Sequence, residues 1–283
     1  MSGSVAEQLR RRMNELTPRE RRAARALLAD YPRAGLGTSA GLAAAAEVSA
    51  PTVVRFARSL GFGGFAELQA ALMAELTDRG AGPTARSAVP ATGTGDGHWL
   101  SDGAEEVTED VRRSLDAIPP SEVDAAVTLL ADPGRRITCI GGRYSNLVAQ
   151  YLAFHLQQLR PGVGYHTDLH PFGPAYTIDV DRRDVYVLFD TRRYQRTTVD
   201  LARRAKKRGA ALIVITDPWL SPAAGVADVV LPTSVSSRSP FDSLAAAFVL
   251  TELLVGALVD KLGEAGATRL REWDESTDYE MLP

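Results

Sequence analysis

The chain has 283 residues, 32 Lys+Arg against 35 Asp+Glu, a net charge of −3 and one cysteine. At ~150 residues per domain the length predicts about two domains, and 45% hydrophobic with 24% charged residues excludes wholesale disorder, a collagen-like repeat and a disulfide-stapled scaffold. The charge is uneven: residues 1–80 hold 11 Arg and 8 Asp+Glu, a net of +3, which leaves −6 on the remainder, and a basic front on an acidic body points to a polyanion-binding module joined to something else.

The start, Met1-Ser2-Gly3-Ser4, has no basic segment leading into an apolar one, so no signal peptide is expected. Val5 to Leu16 is apolar at helical spacing. Thr17-Pro18 reads as a helix start, with Thr17 as N-cap, Pro18 at the first helical position and Glu20 completing a capping box. That helix ends before Pro32. Thr38 or Ser39 caps a short Ala-rich helix to about Glu47. Ser49 caps the next, with Pro51 tolerated in its first turn and Gly61 as its stop. Phe65 to Leu76 is the last helix of the front module, which is assigned residues 1–78.

Residues 79–98 are rich in Gly, Ala, Pro and Thr without periodicity and read as a flexible linker. Residues 99–283 follow a different rule. Helices near 103–116 and 121–132 come first. Short β-rich runs then alternate with helices: Arg136–Ile140, 145–159, Val163–His166, 173–178, Val185–Phe189, 195–208, Ala211–Thr216, Asp228–Leu231 and 242–262. Strands alternating with helices predict a parallel sheet covered on both faces. Leu244 to Val259, the longest apolar stretch, is interrupted by Thr251 and Glu252. It falls short of the ~18 residues of a membrane span. With a lone Cys139 implying no oxidising compartment, a cytoplasmic location without membrane association is expected.

In the front module, Ser39 to Leu60 has the pattern of a helix-turn-helix. Leu42, Ala45 and Ala46 share a face of the first helix and Val48 plugs the turn. Val53, Phe56, Ala57 and Leu60 follow i, i+3, i+4, i+7 and predict the buried face of the second. That arrangement turns Ala50, Pro51, Thr52, Arg55 and Ser59 outward, with Arg58 at one edge. Small residues at the helix start and an arginine one turn on suit a major groove, where Arg55 reaches a base edge or a phosphate. An ordinary helical hairpin with a solvated face has the same spacing. Leu16-Thr17-Pro18, Val48-Ser49, Thr52-Val-Val-Arg-Phe56 and Leu60-Gly-Phe-Gly-Gly-Phe65 resemble the N-terminal domain of RpiR-family bacterial transcription regulators. The resemblance implies that Ser49, Thr52 and Arg55 face DNA, with Ser39 and the Gly63-Gly64 loop near phosphates. The family often has Gly at the turn where this chain has Glu47; if that position is left-handed, Glu costs about 1 kcal/mol relative to Gly.

In the rear module, Ile137 to Asn146 reads as strand, Gly141-Gly142 turn, then helix. Backbone N–H groups at such a helix start bind anions, and Ser145 adds a hydroxyl; a tight turn with Ser145 as N-cap is the plainer reading. The order of segments from about 109 to 262 is similar to the SIS (sugar isomerase) domain. A helix-turn-helix head followed by an α/β SIS domain is the full RpiR architecture. The resemblance makes Gly142, Arg143 and Ser145 part of a first phosphate loop. The second loop departs from the usual Ser-x-Ser-Gly-x-Thr type, with Asp190-Thr-Arg192-Arg193-Tyr-Gln-Arg-Thr-Thr198 in its place. Either Arg192 or Arg193 clamps an anion, or Asp190 pairs with one arginine and fixes the loop. Ser239, in the polar loop 234–242, borders the pocket in the family, and capping the last helix is its other reading.

His166-Thr-Asp-Leu-His170 could suggest a metal, but no further cluster completes a site, and neither metal nor other cofactor is expected. These expectations describe a DNA-binding regulator, not an enzyme, whose SIS domain senses a small anionic metabolite, a phosphosugar or other acid. Its expected partners are double-stranded DNA and a second copy in a homodimer, or a tetramer. An SIS-type phosphosugar isomerase is the alternative, but the pocket loops show no obvious catalytic base.

Overall fold

The structure, a computed structural model, describes residues 4–80, Thr84, 99–166 and 175–276. The chain divides into two compact units, Met1–Ala91 and Thr92–Pro283. Of the segment 79–98 read as a linker, 81–83 and 85–98 lie outside the described residues.

The first unit contains helices α1 (Val5–Arg12), α2 (Pro18–Ala29), α3 (Arg33–Leu36), α4 (Ser39–Ala45), α5 (Ala50–Ser59) and α6 (Phe65–Gly80). α2 starts on the capping box that Thr17 and Glu20 announce, with Thr17 N–H donating to Glu20 Oε2 at 2.9 Å. Thr38 rather than Ser39 caps α4, its Oγ1 accepting Gly41 N–H at 3.0 Å. Leu9, Leu27, Leu42, Phe56, Leu68 and Leu72 are fully buried, so five of the helices contribute to one core. On α4 the buried face is Leu42, Ala43 and Ala46, while Ala45 is exposed. The i, i+3, i+4 rule allows either set, and packing chooses Ala43. The turn after α4 places Glu47 at φ 52, and Gly61 at φ 97 ends α5. Both lie in the left-handed region that favours glycine.

The second unit opens with α7 (Trp99–Asp116) and α8 (Pro120–Ala131). Then come β1 (Arg136–Gly141), α9 (Asn146–Leu159), β2 (Val163–His166), α10 (Ala175–Ile178), β3 (Asp184–Asp190), α11 (Arg196–Lys207), β4 (Ala211–Thr216), a 3₁₀ turn at Pro222–Val226, β5 (Val229–Pro232) and α12 (Ala245–Ser276). The strands form one parallel sheet in the order β2-β1-β3-β4-β5. Every residue of β3 and β4 is buried, as the apolar runs require of strands covered on both faces. Alternate side chains serve opposite layers. Val185, Val187, Phe189, Ile213 and Ile215 pack with α8, α9 and α12. Tyr186, Leu188, Leu212 and Val214 pack with α11 and the 3₁₀ turn.

A polar feature closes the edge near β1. Arg160, 4% exposed, donates from its guanidinium to the carbonyls of Leu130, Asp132 and Arg135. These belong to the end of α8 and the turn into β1, so one side chain ties α8, α9 and β1 together. α12 continues beyond the predicted 262. Its backbone breaks at Gly263 (φ 51, ψ −129) and the second part runs to Ser276. Among the described residues no helix is long and apolar enough to cross a membrane.

Candidate functional site

In the helical unit, α5 carries the residues expected to meet DNA. Pro51, Arg55, Arg58 and Ser59 are exposed, Ser49 precedes the helix exposed, and Ser39 is half-buried at the start of α4. Thr52, expected outward, is buried at 2% exposure. Its hydroxyl meets Ser49 Oγ at 2.9 Å and accepts from Arg55 Nη2 at 3.2 Å. Thr52 therefore orients the exposed groups from beneath. Ser49 occupies the N-cap position without a side-chain capping bond, because its hydroxyl is used by Thr52. Arg58 Nε donates to the Gly63 carbonyl at 3.3 Å, joining α5 to the loop before α6.

Glu20 holds α5 from the other side. Its carboxylate accepts from Thr17 Oγ1 at 2.7 Å and from Ser59 Oγ at 2.9 Å. Burial pushes this carboxyl up, but the hydrogen bonds from Thr17 and Ser59 and the nearby Arg55 charge outweigh it and hold the group below the usual range. Thr17, Arg19, Glu20, Thr52 and Arg55 line a groove between the starts of α2 and α5. The capping box was legible in the sequence; its reach across to Ser59 was not.

In the α/β unit the strand order reverses between β1 and β3. The C-terminal ends of strands at such a switch point form the binding crevice of open α/β sheets. The Gly141–Ser145 turn and the loop after Asp190 meet there. Gly141 cannot be replaced, since a Cβ would sit 2.4 Å from the Asn146 backbone. Ser145 is buried, with its hydroxyl accepting Gly142 N–H at 2.9 Å and donating to the Phe189 carbonyl at 2.8 Å. It neither caps α9 through its side chain nor turns outward; it fastens the first loop to β3. Arg143 is exposed beside Tyr144, 5.9 Å from its ring centre. The Gln195 amide lies over Gly142, with Nε2 at 3.1 Å from where a Cβ would be. Gln195 is the crevice residue that sequence reasoning missed.

The second loop follows neither expected arrangement in full. Asp190 is buried and meets the Ser221 hydroxyl and the Gln195 backbone N–H, the latter at 3.3 Å. Arg192 instead pairs with Asp242, Nε to Oδ1 at 2.7 Å, and lies 5.1 Å from the Trp219 ring centre. Asp190 therefore fixes its loop through Ser221 and Gln195, and the arginine pair forms with a residue distant in the chain. Arg192 adopts φ 51, and its N–H bonds Asp217. Asp217 also accepts from Tyr194 Oη at 2.7 Å and Trp219 N–H at 3.0 Å. Burial pushes Asp190 up to about 6, opposed by Ser221 and Gln195 and reinforced by Asp217. Burial also raises Asp217, with the Tyr194, Arg192 and Trp219 donors holding back part of the rise. Arg193 is exposed. Ser239 is exposed too, and its hydroxyl meets Ser237 Oγ at 3.0 Å and accepts Phe241 N–H at 3.2 Å, so it shapes its own turn.

His166 ends β2, and burial lowers its pKa. The rest of His166–His170 lies outside the described residues, among which no three His, Cys, Asp or Glu side chains gather as a metal site.

Comparison with known proteins decides the family. The helix-turn-helix domain of the rpiR family matches residues 3–79, and the SIS domain matches residues 129–257. The chain belongs to the RpiR family. It is a helix-turn-helix regulator with a SIS domain. The HTH-type transcriptional regulator HexR of Pseudomonas aeruginosa is 26% identical over 96% of this chain and 95% of its own length. Two solved structures share the fold. The sugar isomerase domain of an RpiR transcription factor from Sphaerobacter thermophilus aligns with TM-score 0.58 and 23% identity, over 63% of this chain and 99% of that one. The Vibrio vulnificus NanR protein complexed with ManNAc-6P aligns with TM-score 0.54 and 19% identity, over 95% and 96%. In this RpiR-family chain the exposed face of α5 is the candidate DNA face, and the β1–β3 crevice is the candidate ligand site.

Proposed function

We propose that this RpiR-family regulator binds DNA through α5, and that a small anionic metabolite in its SIS domain modulates that binding. The carrying observation is the placement of Arg55. It projects from the first turns of α5 over a buried Thr52 that accepts its hydrogen bond, a preset aim towards a groove. Pro51, Ser49 and Arg58 surround it, with Ser39 at the neighbouring helix start. A net charge of +3 over residues 1–80 is too small to hold DNA by counterion release alone. Paired heads are therefore part of the reading: a homodimer, or a tetramer built from it, reads two half-sites about one helical turn apart. The exposed Leu253 and Val259 of α12 support that helix as a subunit contact. The setting is cytoplasmic.

For the ligand, the cationic and N–H-rich parts of the crevice are the Gly142–Arg143 turn and the Arg192–Arg193 loop. They support an anion, a sugar phosphate or another acid. The chain is read as non-enzymatic. An aldose–ketose isomerase needs a base poised at the sugar carbon, whereas the crevice carboxylates Asp190 and Asp217 are buried and committed to their own loops. The test is selection from a random duplex library with the full chain. A palindrome with half-sites about one turn apart is expected, and its enrichment should change when a sugar phosphate is added. Recovery of no preferred sequence would sink the reading.

A further inference from the structure

The loop 234–242 touches two separate parts of the SIS unit. At its end, Asp242 holds the Arg192 guanidinium, with side chains 32% and 6% exposed respectively. At its start, Ser234 N–H donates to Ser114 Oγ at 2.8 Å. Between them Arg238 forks onto Glu106, Nε to Oε2 at 2.6 Å and Nη2 to Oε1 at 2.9 Å. Ser114 and Glu106 both belong to α7, which follows the segment joining the two units. The first half of α7 is largely exposed, so the Glu106–Arg238 fork acts where core packing does little to hold the helix.

We propose that this loop is a relay between the ligand crevice and α7, and that Asp242 is the specificity residue which an incoming anion must displace from Arg192. The inference rests on the reading of the crevice as an anion site. The two members of the pair are unequal. Arg192 is fixed by Trp219 beside its guanidinium and by the Asp217 bond to its N–H. Asp242 is one-third open to water and sits in a loop. When a ligand anion takes the guanidinium, Asp242 is the partner that leaves. A phosphate, with more charge and three acceptor oxygens, exchanges for a carboxylate on arginine more readily than a second carboxylate does. Once Asp242 leaves, the loop is held by its contacts with α7 and its own chain, so crevice occupancy reaches the helix through Arg238 and Ser234. This is coupling in the strict sense only if each end responds to the other.

Calorimetry on the full chain with inorganic phosphate and a panel of hexose and pentose phosphates tests it, together with amide hydrogen exchange over 103–116 and 234–247. Asp242→Asn is expected to bind the best of these probes about five-fold more tightly, the worth of a partly exposed ion pair. Its 234–247 exchange should already be raised without ligand. Arg238→Gln should lose the ligand-dependent change in α7, and its probe affinity should shift by the factor that this coupling is worth. Probe affinity within two-fold of wild type in Asp242→Asn, or an undiminished α7 response in Arg238→Gln, overturns the relay. If no probe binds wild type or Asp242→Asn, the anion reading fails and the relay falls with it. If probes bind and Asp242→Asn is unchanged, the relay fails alone.

Discussion

Arg55 and Thr52 meet one turn apart on α5, the guanidinium Nη2 donating at 3.2 Å to a hydroxyl that also lies 2.9 Å from Ser49 Oγ. On the proposed reading of α5 as the DNA helix, the pairing makes Thr52 a support for recognition. Thr52→Val keeps the shape and removes the hydroxyl, so the fold should lose only about 1 kcal/mol. Arg55 loses its aim, and affinity for a selected operator should drop several-fold. Arg55→Ala should cost about 1–3 kcal/mol on that operator and relax its sequence preference. Anisotropy titrations on selected and scrambled duplexes at two salt concentrations check both. An equal loss on the two duplexes, with a shallower salt slope, would reassign Arg55 to a backbone phosphate.

Glu47 is the second test of the head. Its φ of 52 places a side chain where glycine is preferred, in the turn between α4 and α5. Glu47→Gly should raise stability by up to about 1 kcal/mol, less the extra freedom that glycine gives the unfolded chain. Urea unfolding of the full chain measures it. A loss of stability would show that the Glu47 side chain contributes more than its backbone costs.

The division of labour between sequence and tertiary structure is visible in these residues. Ala211–Thr216 is read with its true ends because an apolar run bounded by turn residues leaves little choice. Phe56 and its companions are likewise set by helical spacing. Thr52 escapes such reading, because periodicity places a hydroxyl on a face but does not say which neighbour closes over it. The second part of α12 is missed because the chain beyond Gly263 has too few apolar residues to show a face. Arg192 with Asp242, and Gln195 over Gly142, join loops distant in the chain, where no local pattern records the meeting. The loops were identifiable; their internal partners were not.

Arg160 was not singled out by sequence, yet its removal should be among the costliest single changes in the SIS unit. Arg160→Met fills much of the same volume but leaves the Leu130, Asp132 and Arg135 carbonyls without their shared donor. With Arg160 4% exposed, little water reaches the gap. A loss of about 3 kcal/mol or more is expected, read by denaturant midpoint at unchanged slope. A loss below about 1 kcal/mol would mean that the α8–β1 turn relaxes to solvate these carbonyls.

Asp190 makes the SIS unit sensitive to pH in a stated direction. Its carboxyl is raised from 3.8 to about 6, by burial first and then by Asp217 against the Ser221 and Gln195 bonds. A folded-state pKa above the unfolded value means that the protonated form is favoured in the fold. The contribution is fully present below the unfolded pKa and is lost as pH rises through about 6. A rise of that size is worth about 3 kcal/mol as an order of magnitude. Asp190→Asn cannot ionise, so its stability relative to wild type should improve between about pH 4 and pH 7, whatever constant offset the amide brings. Taking the difference removes groups such as Glu20, whose lowered pKa gives stability that is lost as pH falls. Urea midpoints of both proteins across that range decide the matter, and a difference that stays flat with pH would show that the Asp190 carboxyl has the same pKa folded and unfolded.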